Sequence, residues 1–186
     1  KSELASRRFP AWFLGRHPSK SVIAASYNSD LATDFGRQVR NILATEEYRH
    51  LFGTALADDS RAANRWNTAE GGGYVAAGVG TAITGRGADI LLIDDPLKDR
   101  EEADSELQRQ KIWDWYTSTA YTRLAPGGRV IVIQTRWHED DLTGRLVADE
   151  ARGGDKWTKL ELPAINDKGE ALWPEAYPID ALRRIQ

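Results

Sequence analysis

One short segment combines a buried strand with a pair of acids, and it constrains the fold more than any other part of the chain. Four bulky apolar residues, Ile90 to Ile93, stand in a row and are followed directly by Asp94 and Asp95. An uninterrupted apolar run is typical of a strand covered on both faces, as in a parallel sheet between layers of helices. The two carboxylates then fall at the carboxyl end of the strand, the edge where open α/β sheets bind ligands.

Strands and helices alternate along most of the sequence, which favours an α/β fold. Apolar runs predict further strands at 21–26 and 129–134, and turn residues predict a hairpin at 66–79. Residues 57–65 are predicted as an exposed loop and 157–162 as a late strand. Apolar periodicity predicts helices at 2–14, 28–45, 46–52, 100–124, 140–151 and from 179 onward. We therefore expect a mainly parallel sheet with helices on both faces.

The composition excludes several classes of protein. Among the 186 residues there is no cysteine, which excludes disulfides, Cys-ligated zinc and thiol catalysis. No apolar run approaches the ~18 residues of a membrane span. The net charge of −3 argues against a surface that is basic throughout, although 25 Lys and Arg residues leave room for local basic patches. The chain has no methionine and starts at Lys1, so we expect it to be a piece of a longer product.

The acids at the strand end predict a particular chemistry. An aspartate in this place can bind hydrated Mg²⁺, and a second acid beside it can orient a water molecule, as in the Walker B element of P-loop ATPases. Lys1 and Ser2 are the two residue types that end a phosphate-binding loop and begin a helix in such proteins. When the pair of acids is considered alone, an acidic turn before Pro96 explains it equally well.

A third polar group of residues follows the strand that ends near residue 134. Gln134 or Thr135 can sense a γ-phosphate by hydrogen bonding, while Thr135 can also be a turn or cap residue. His138, Asp140 and Asp141 suggest a metal site, but their spacing fits no standard zinc pattern. The acidic N-terminus of a helix explains the two aspartates at least as well.

In their order and spacing, these motifs resemble the ATPase domain of a tailed-phage terminase large subunit, the motor protein of DNA packaging. The resemblance covers nearly the whole chain. Its most specific part is the run after the last buried strand, which resembles one subgroup of terminases. The Gly85 to Asp89 segment fits that subgroup as well. The three stretches that carry it are Lys1-Ser2-Glu3-Leu4-Ala5, Ile90 to Pro96, and Gln134 to Leu146.

The resemblance implies a P-loop NTPase-like three-layer sandwich whose first strand and most of whose phosphate loop lie outside this sequence. Residues 1–165 would form the ATPase domain, and residues 166–186 would lead toward a C-terminal RNase H-like nuclease. The motor would use ATP and Mg²⁺, act on double-stranded DNA, and work as a homo-oligomeric ring with a portal protein and a small terminase subunit. It would act in the cytoplasm of the bacterial host, at the procapsid portal.

The resemblance also implies roles for individual residues. Lys1, Ser2 and Thr135 would bind the nucleotide, with Ser2 also on Mg²⁺ and Thr135 in the motif that couples hydrolysis to movement. Asp94 would be the Walker B ligand of Mg²⁺. Asp95 stands where many relatives have the catalytic glutamate, and its shorter side chain requires the attacking water to sit closer.

An arginine completes the site in such motors, either in cis or from a neighbouring subunit. Arg37 and Arg40 are candidates because a spacing of three places them on one helix face. Arg86 is a further candidate, since it lies in a glycine-rich loop near the expected nucleotide edge. An ordinary solvated basic face also explains Arg37 and Arg40.

Two other functions remain open from the sequence. Asp94, Asp95, Asp140 and Asp141 can form a metal-dependent nuclease if they converge around paired ions. Alternatively, the fold can serve as an assembly module that no longer hydrolyses ATP, which an aspartate in place of glutamate at position 95 permits. For this piece by itself we expect weak or no ATPase activity, because its phosphate loop is incomplete.

Overall fold

The computed structural model describes residues 1–83, 85 and 87–185, and within them six strands form one sheet. The strands are β1 (Ser21–Ser26), β2 (Leu56–Arg61), β3 (Arg65–Thr68), β4 (Gly73–Gly78), β5 (Ala88–Asp94) and β6 (Leu124–Ile133). They follow the order β2-β3-β4-β1-β5-β6 across the sheet. The pairs β4–β1, β1–β5 and β5–β6 are parallel, whereas β2–β3 and β3–β4 are antiparallel. The predicted mainly parallel sheet is confirmed.

The helical segments are interleaved with these strands. The α-helices of the described residues are α1 (Phe9–Arg16), α2 (Ser29–Leu43), α3 (Glu46–Phe52), α4 (Arg100–Asp104), α5 (Glu106–Trp115), α6 (Leu142–Ala151) and α7 (Ile179–Arg183). Two π-helical turns (Glu3–Arg8 and Tyr116–Ala120) and one 3₁₀ turn (Tyr121–Arg123) complete them. Among the described residues, none of the helices combines the length and the apolar character that a membrane span requires.

Helices α1, α2 and α3 cover one face of the sheet. Leu14 of α1 and Val39 and Leu43 of α2 are fully buried and cluster with Val22 of β1 and Leu92 of β5. Each aliphatic side chain buried in this way contributes roughly 1.5–3 kcal/mol. The core therefore fixes the helices on the neighbouring strands β1 and β5, and the acids lie at the end of β5.

The opposite face of the same strands is covered as well. Ile23 of β1 and Leu91 and Ile93 of β5 alternate with the residues of the first face, and all three are 0% exposed. A strand buried on both sides is what the apolar run before the acids predicted. The strand at 21–26, the helices at 28–45 and 46–52, and the hairpin at 66–79 are confirmed too.

Residues 57–65 were expected to be an exposed loop, and this prediction was wrong, because they contain most of β2. The strand's sequence, Leu-Ala-Asp-Asp-Ser-Arg, lacks the apolar alternation by which strands are recognised. It lies at the edge of the sheet and, within the described residues, pairs with β3 alone. An edge strand tolerates polar and charged residues, because one side has no neighbouring strand.

The single long helix expected over 100–124 is interrupted. Ser105 has an extended backbone (φ −79°, ψ 110°) between α4 and α5. Its hydroxyl accepts a hydrogen bond from the backbone N–H of Gln108 at 3.4 Å, so Ser105 is the N-cap of α5. Residues that favour helices, such as Glu102, Ala103 and Glu106, stand on both sides of Ser105, which is why the sequence pattern alone does not indicate the break. After α5, the π-helical turn and then the 3₁₀ turn lead into β6.

Two further strand predictions need correction. The strand predicted at 129–134 starts earlier, at Leu124, and the pairing with β5 is irregular between Leu124 and Arg129. Residues 157–162 are not a strand. Leu160 and Leu162 there are 81% and 63% exposed, so their alternation reflects no buried face.

The chain divides into two compact units, Lys1–Ala148 and Asp149–Gln186. The first contains the sheet. In the second, α7 and an isolated bridge between Ile165 and Ala171 are the regular features of the described residues after α6. The assignment of residues 1–165 to one domain and 166–186 to a connection stays a prediction.

Candidate functional site

The carboxyl ends of three parallel strands meet at one edge of the sheet. Ser26 of β1 is the register partner of Asp94 of β5, and Asp94 is the register partner of Ile133 of β6. The residues that follow these strands therefore leave the sheet side by side. This is the edge at which open parallel sheets bind ligands.

Asp95 has an unusual backbone conformation at this edge. Its φ is +45°, and it is the one residue other than glycine with a positive φ in the described part of the chain. Its N–H donates to the Ile133 carbonyl at 2.8 Å, and its carbonyl accepts from the Tyr27 N–H at 3.1 Å. The left-handed region costs an L-residue roughly 1–2 kcal/mol, least for aspartate and asparagine. Strain of this kind is concentrated at functional sites.

Lys1, Asp95 and Thr135 form a closed cluster. The Lys1 ammonium lies 2.6 Å from Asp95 Oδ1 and 2.8 Å from Thr135 Oγ1. The Thr135 backbone N–H donates to the same Asp95 oxygen at 3.0 Å. The Lys1 and Asp95 side chains are 39% and 33% exposed, so their ion pair adds little stability. Three residues predicted from distant parts of the sequence are thus brought together by the fold.

Asp94 lies next to this cluster in the sequence, but its environment is different. It is 1% exposed, and its Oδ2 accepts a hydrogen bond from the Ser6 hydroxyl at 2.5 Å. Its Oδ1 has no hydrogen-bond partner among the described residues. The hydroxyls of Ser26 and Tyr74 are likewise buried and have no hydrogen-bond partner among the described residues. Burial, and then the negative charge of Asp94, raise the pKa of Tyr74 above its ordinary value.

The hydroxyl that contacts Asp94 belongs to Ser6, which the sequence reasoning did not single out. Ser2, the residue expected to share a metal ion with Asp94, is half-buried and caps no backbone N–H. Both serines lie in the first helical segment, four residues apart. That spacing places two side chains on one side of a helix, so it was the signal that could have found Ser6.

Two of the candidate arginines, Arg37 and Arg40, contact residues of their own helix. Arg37 lies on the exposed side of α2, where its guanidinium forms an ion pair with Asp34 at 2.5 Å. Arg40 donates to the side chain of Asn41 at 3.1 Å. Arg86 lies outside the residues that the structure describes. The role of an arginine in completing the site stays a prediction.

Asp140 is held by two arginines. Arg145 donates to its two carboxylate oxygens at 2.9 and 2.8 Å, and Arg109 donates at 3.1 Å. The hydrogen bond from Arg145, followed by that from Arg109, lowers the pKa of Asp140 to about 2. Asp140 therefore connects α5 to the start of α6.

Asp141 has a structural role as well. It is 1% exposed, its Oδ2 accepts from Arg136 Nε at 2.7 Å, and its Oδ1 accepts from the Gly144 N–H at 2.9 Å at the start of α6. A Cβ on Gly144 would lie 1.8 Å from the Glu139 carbonyl oxygen, so only glycine fits there. The contact with Gly144 satisfies an N–H of the first turn of α6. Asp141 thus acts at a helix N-terminus, which was one of the two explanations that the sequence left open.

These contacts correct the metal site suggested by the sequence. His138 Nδ1 accepts the Asp140 backbone N–H at 3.0 Å, and both aspartates are engaged by arginines. No group of three His, Asp or Glu side chains within the described residues is arranged to hold a metal ion. The nuclease alternative thereby loses the free carboxylates of Asp140 and Asp141 on which it depended.

A protein-family comparison adds independent information to this geometry. The family model described as "Terminase large subunit, T4likevirus-type, N-terminal" matches residues 1–177. The matched region includes all six strands and the cluster of Lys1, Asp95 and Thr135. A search of curated proteins found no match.

Proposed function

The chain belongs to the family of terminase large subunits of the T4-like type, in their N-terminal region, and from this premise we propose that it is the ATPase motor domain of a phage DNA-packaging terminase. Its sheet would be the core of a P-loop NTPase-like sandwich. The observation that carries the proposal is the convergence of Lys1, Asp95 and Thr135 at the carboxyl edge of the sheet.

Lys1 would bind the β- and γ-phosphates of ATP. An ammonium group binds phosphate oxygens as a point charge, and in this structure that group is already held by an acid and a hydroxyl. A phosphate that takes over the ammonium would come to lie beside Asp95 and Thr135. Both side chains would then be within hydrogen-bonding reach of the reacting phosphoryl group and its attacking water.

The residues around Asp94 fit a Mg²⁺ ion. Asp94 Oδ1 is buried and without a partner among the described residues, and Ser2 lies in the same helical segment that brings Ser6 to Asp94. Mg²⁺ is usually bound by one or two protein oxygens together with waters and substrate phosphates, so Asp94 and Ser2 suffice. When bound, the ion would neutralise charge on the β- and γ-phosphate oxygens.

In the proposed reaction, Asp95 orients a water whose oxygen attacks the γ-phosphorus while the bond to the β-phosphate oxygen breaks. ADP and inorganic phosphate are the products. Thr135 would hydrogen-bond the γ-phosphate, so that phosphate loss changes the segment between β6 and α6. That segment is tied to α5 through Asp140 and Arg109, which provides a route for the change to reach another element.

The working motor would act on double-stranded DNA in the host cytoplasm, as a homo-oligomeric ring at the portal protein with the small terminase subunit. Arg37 or Arg86 of one subunit would complete the site of a neighbouring copy. The exposed position of Arg37 is compatible with a role in trans. These partners and the arginine assignment rest on the family membership and on the sequence.

The test is ATP turnover by the complete terminase large subunit carrying Asp94→Asn, which keeps the shape of the buried side chain. We expect kcat to fall by about 10²–10³-fold, because the carboxylate proposed to bind the Mg²⁺ of the reacting phosphates loses its charge. Asp104→Asn is the control, since Asp104 is 60% exposed and lies 3.8 Å from Arg100. It should leave turnover within about twofold.

Unchanged turnover with Asp94→Asn would contradict the proposed role of Asp94. ATP binding without turnover by the unaltered complete protein would instead identify a non-hydrolysing assembly module. Metal-dependent cleavage of plasmid DNA by residues 1–186 would favour the nuclease.

A further inference from the structure

The first helical segment contains a π-helical turn at Glu3–Arg8, and Ser6 lies within it. The N–H of Phe9 donates to the Leu4 carbonyl, five residues earlier, as a π-helical turn requires. Pro10 follows at the start of α1. In a regular α-helix its ring would clash with the carbonyl four residues earlier, which is that of Ser6. The wider turn relieves this clash, and π-turns are often found at functional sites.

The hydroxyl of Ser6 makes a contact that a helical serine rarely makes. Such a hydroxyl commonly bonds back to a carbonyl of the preceding turn. Ser6 is 0% exposed and instead donates to Asp94 Oδ2 at 2.5 Å, across 88 positions of sequence. Hydrogen bonds to an ionised acceptor are short and about twice as strong as neutral ones. The π-helical turn thus directs a hydroxyl from the first helix to the end of β5.

The contact leaves half of the buried carboxylate without a partner. Asp94 is 1% exposed, and its Oδ1 has no hydrogen bond within the described residues. A buried charge is costly unless its oxygens are satisfied, so a purely structural contact would be expected to engage both of them. The arrangement instead fixes the carboxylate through one oxygen and leaves the other buried and without a hydrogen bond among the described residues.

We propose that Ser6 is a positioning residue that holds the Asp94 carboxylate through Oδ2, so that Oδ1 is directed to the Mg²⁺ of the nucleotide site. The inference rests on the proposed ATPase function. Without the Ser6 hydroxyl, the carboxylate has an alternative donor in Ser26, its register partner on the neighbouring strand, whose hydroxyl is buried and unpartnered among the described residues. If the Asp94 carboxylate rotated toward Ser26, it would accept a hydrogen bond from that hydroxyl on β1 and would bind the Mg²⁺ less tightly.

The experiment compares Ser6→Thr with Ser6→Val in the complete terminase large subunit. The two side chains have nearly the same shape and meet the same tight packing, so their difference isolates the hydroxyl. The first readout is the affinity for Mn²⁺ in the presence of ADP, measured by electron paramagnetic resonance. The second is the Mg²⁺ concentration that gives half-maximal ATP turnover.

We expect Ser6→Val to bind Mn²⁺ about 10-fold more weakly than Ser6→Thr, as is typical when a partner of a metal ligand is removed. The Mg²⁺ requirement should rise by a similar factor, while ADP affinity without metal stays the same. Ser118→Ala is the control, because the Ser118 hydroxyl bonds back to the Asp114 carbonyl of its own helical segment. It should leave the affinity for Mn²⁺ unchanged.

Equal Mn²⁺ affinities of the two variants, with metal binding by the unaltered protein intact, would overturn the role of Ser6 and leave the proposed function standing. Loss of metal–nucleotide binding already in the unaltered protein would remove the proposed function and the Ser6 inference together. If neither branched side chain allows folding, Ser6→Ala measured against the unaltered protein carries the same expectation. Equal affinities in that comparison would also overturn it.

Discussion

At the scale of single residues, two adjacent acids occupy opposite environments. Asp94 is buried and bonded to Ser6, whereas the Asp95 side chain is one-third exposed and bonded to Lys1 and Thr135. Asp94 is the last residue of β5, whereas Asp95 follows it with a left-handed backbone, so the alternation of a regular strand does not extend to Asp95. The left-handed backbone of Asp95 and the depth of Asp94 depend on tertiary packing, and no local pattern contains them.

The pairing of Asp140 predicts a pH-dependent contribution to stability. Asp140→Asn should lower the free energy of unfolding at pH 7 by about 1 kcal/mol, a small value because the carboxylate is 42% exposed. The folded state lowers its pKa from 3.8 to about 2. Its contribution is therefore complete above about pH 4 and is lost as the pH falls through 2. Urea unfolding at pH 7, 4 and 3 measures the difference between the variant and the unaltered chain.

Asp104→Asn is the matched control for this series. Asp104 also pairs with an arginine, but at 3.8 Å and with 60% of the side chain exposed. It should change the unfolding free energy by less than about 0.5 kcal/mol at each pH. A difference for Asp140→Asn that stays constant down to pH 3 would show that the ion pairs with Arg145 and Arg109 do not stabilise the fold.

At the scale of elements, predictions were most accurate where a cap marks the start of a helix. Asn28 accepts the Leu31 N–H at 2.8 Å before α2, and Thr45 accepts the Tyr48 N–H at 3.2 Å before α3. Such side chains can be recognised in a sequence. Ser105 is also a cap, but residues that favour helices stand on both sides of it, so the break that it makes was missed.

The start of α6 provides a test at this scale. Gly144→Ala should destabilise the chain by roughly 1–3 kcal/mol, the range for overpacking, because the new Cβ would meet the Glu139 backbone. Gly87→Ala is the control, since the nearest atom to a Cβ there is the Arg123 carbonyl oxygen at 3.6 Å. It should stay within about 0.5 kcal/mol in urea unfolding. Equal effects of both substitutions would contradict the close approach at Gly144.

At the scale of the whole molecule, much of the candidate site could be predicted from the sequence, because parallel strands deliver their carboxyl ends to one edge. That rule is enough to bring Asp95 and Thr135 together. The meeting of Lys1 with both of them was predicted through the family resemblance. The contribution of Ser6 required the actual path of the first helix, and Arg86 lies outside the described residues.

Burial is distributed unevenly along the chain, which predicts where a protease will cut. After Leu146, none of the described residues is buried. Segments with few buried contacts open at low free-energy cost. Limited trypsin digestion of residues 1–186 should therefore cut first after Arg152, Lys156 or Lys159, as measured by mass spectrometry of the early fragments. First cuts within residues 21–94 would contradict this distribution of stability.

The ammonium of Lys1 and the carboxylate of Asp95 already neutralise each other. An anion that arrives at this edge must therefore compete with an internal counter-ion before it can be held. When the anion departs, the carboxylate can pair with the ammonium again. If the proposed function holds, nucleotide entry and phosphate exit would each exchange one anionic partner of Lys1 for another, and the returning carboxylate would favour release of the phosphate product over its retention.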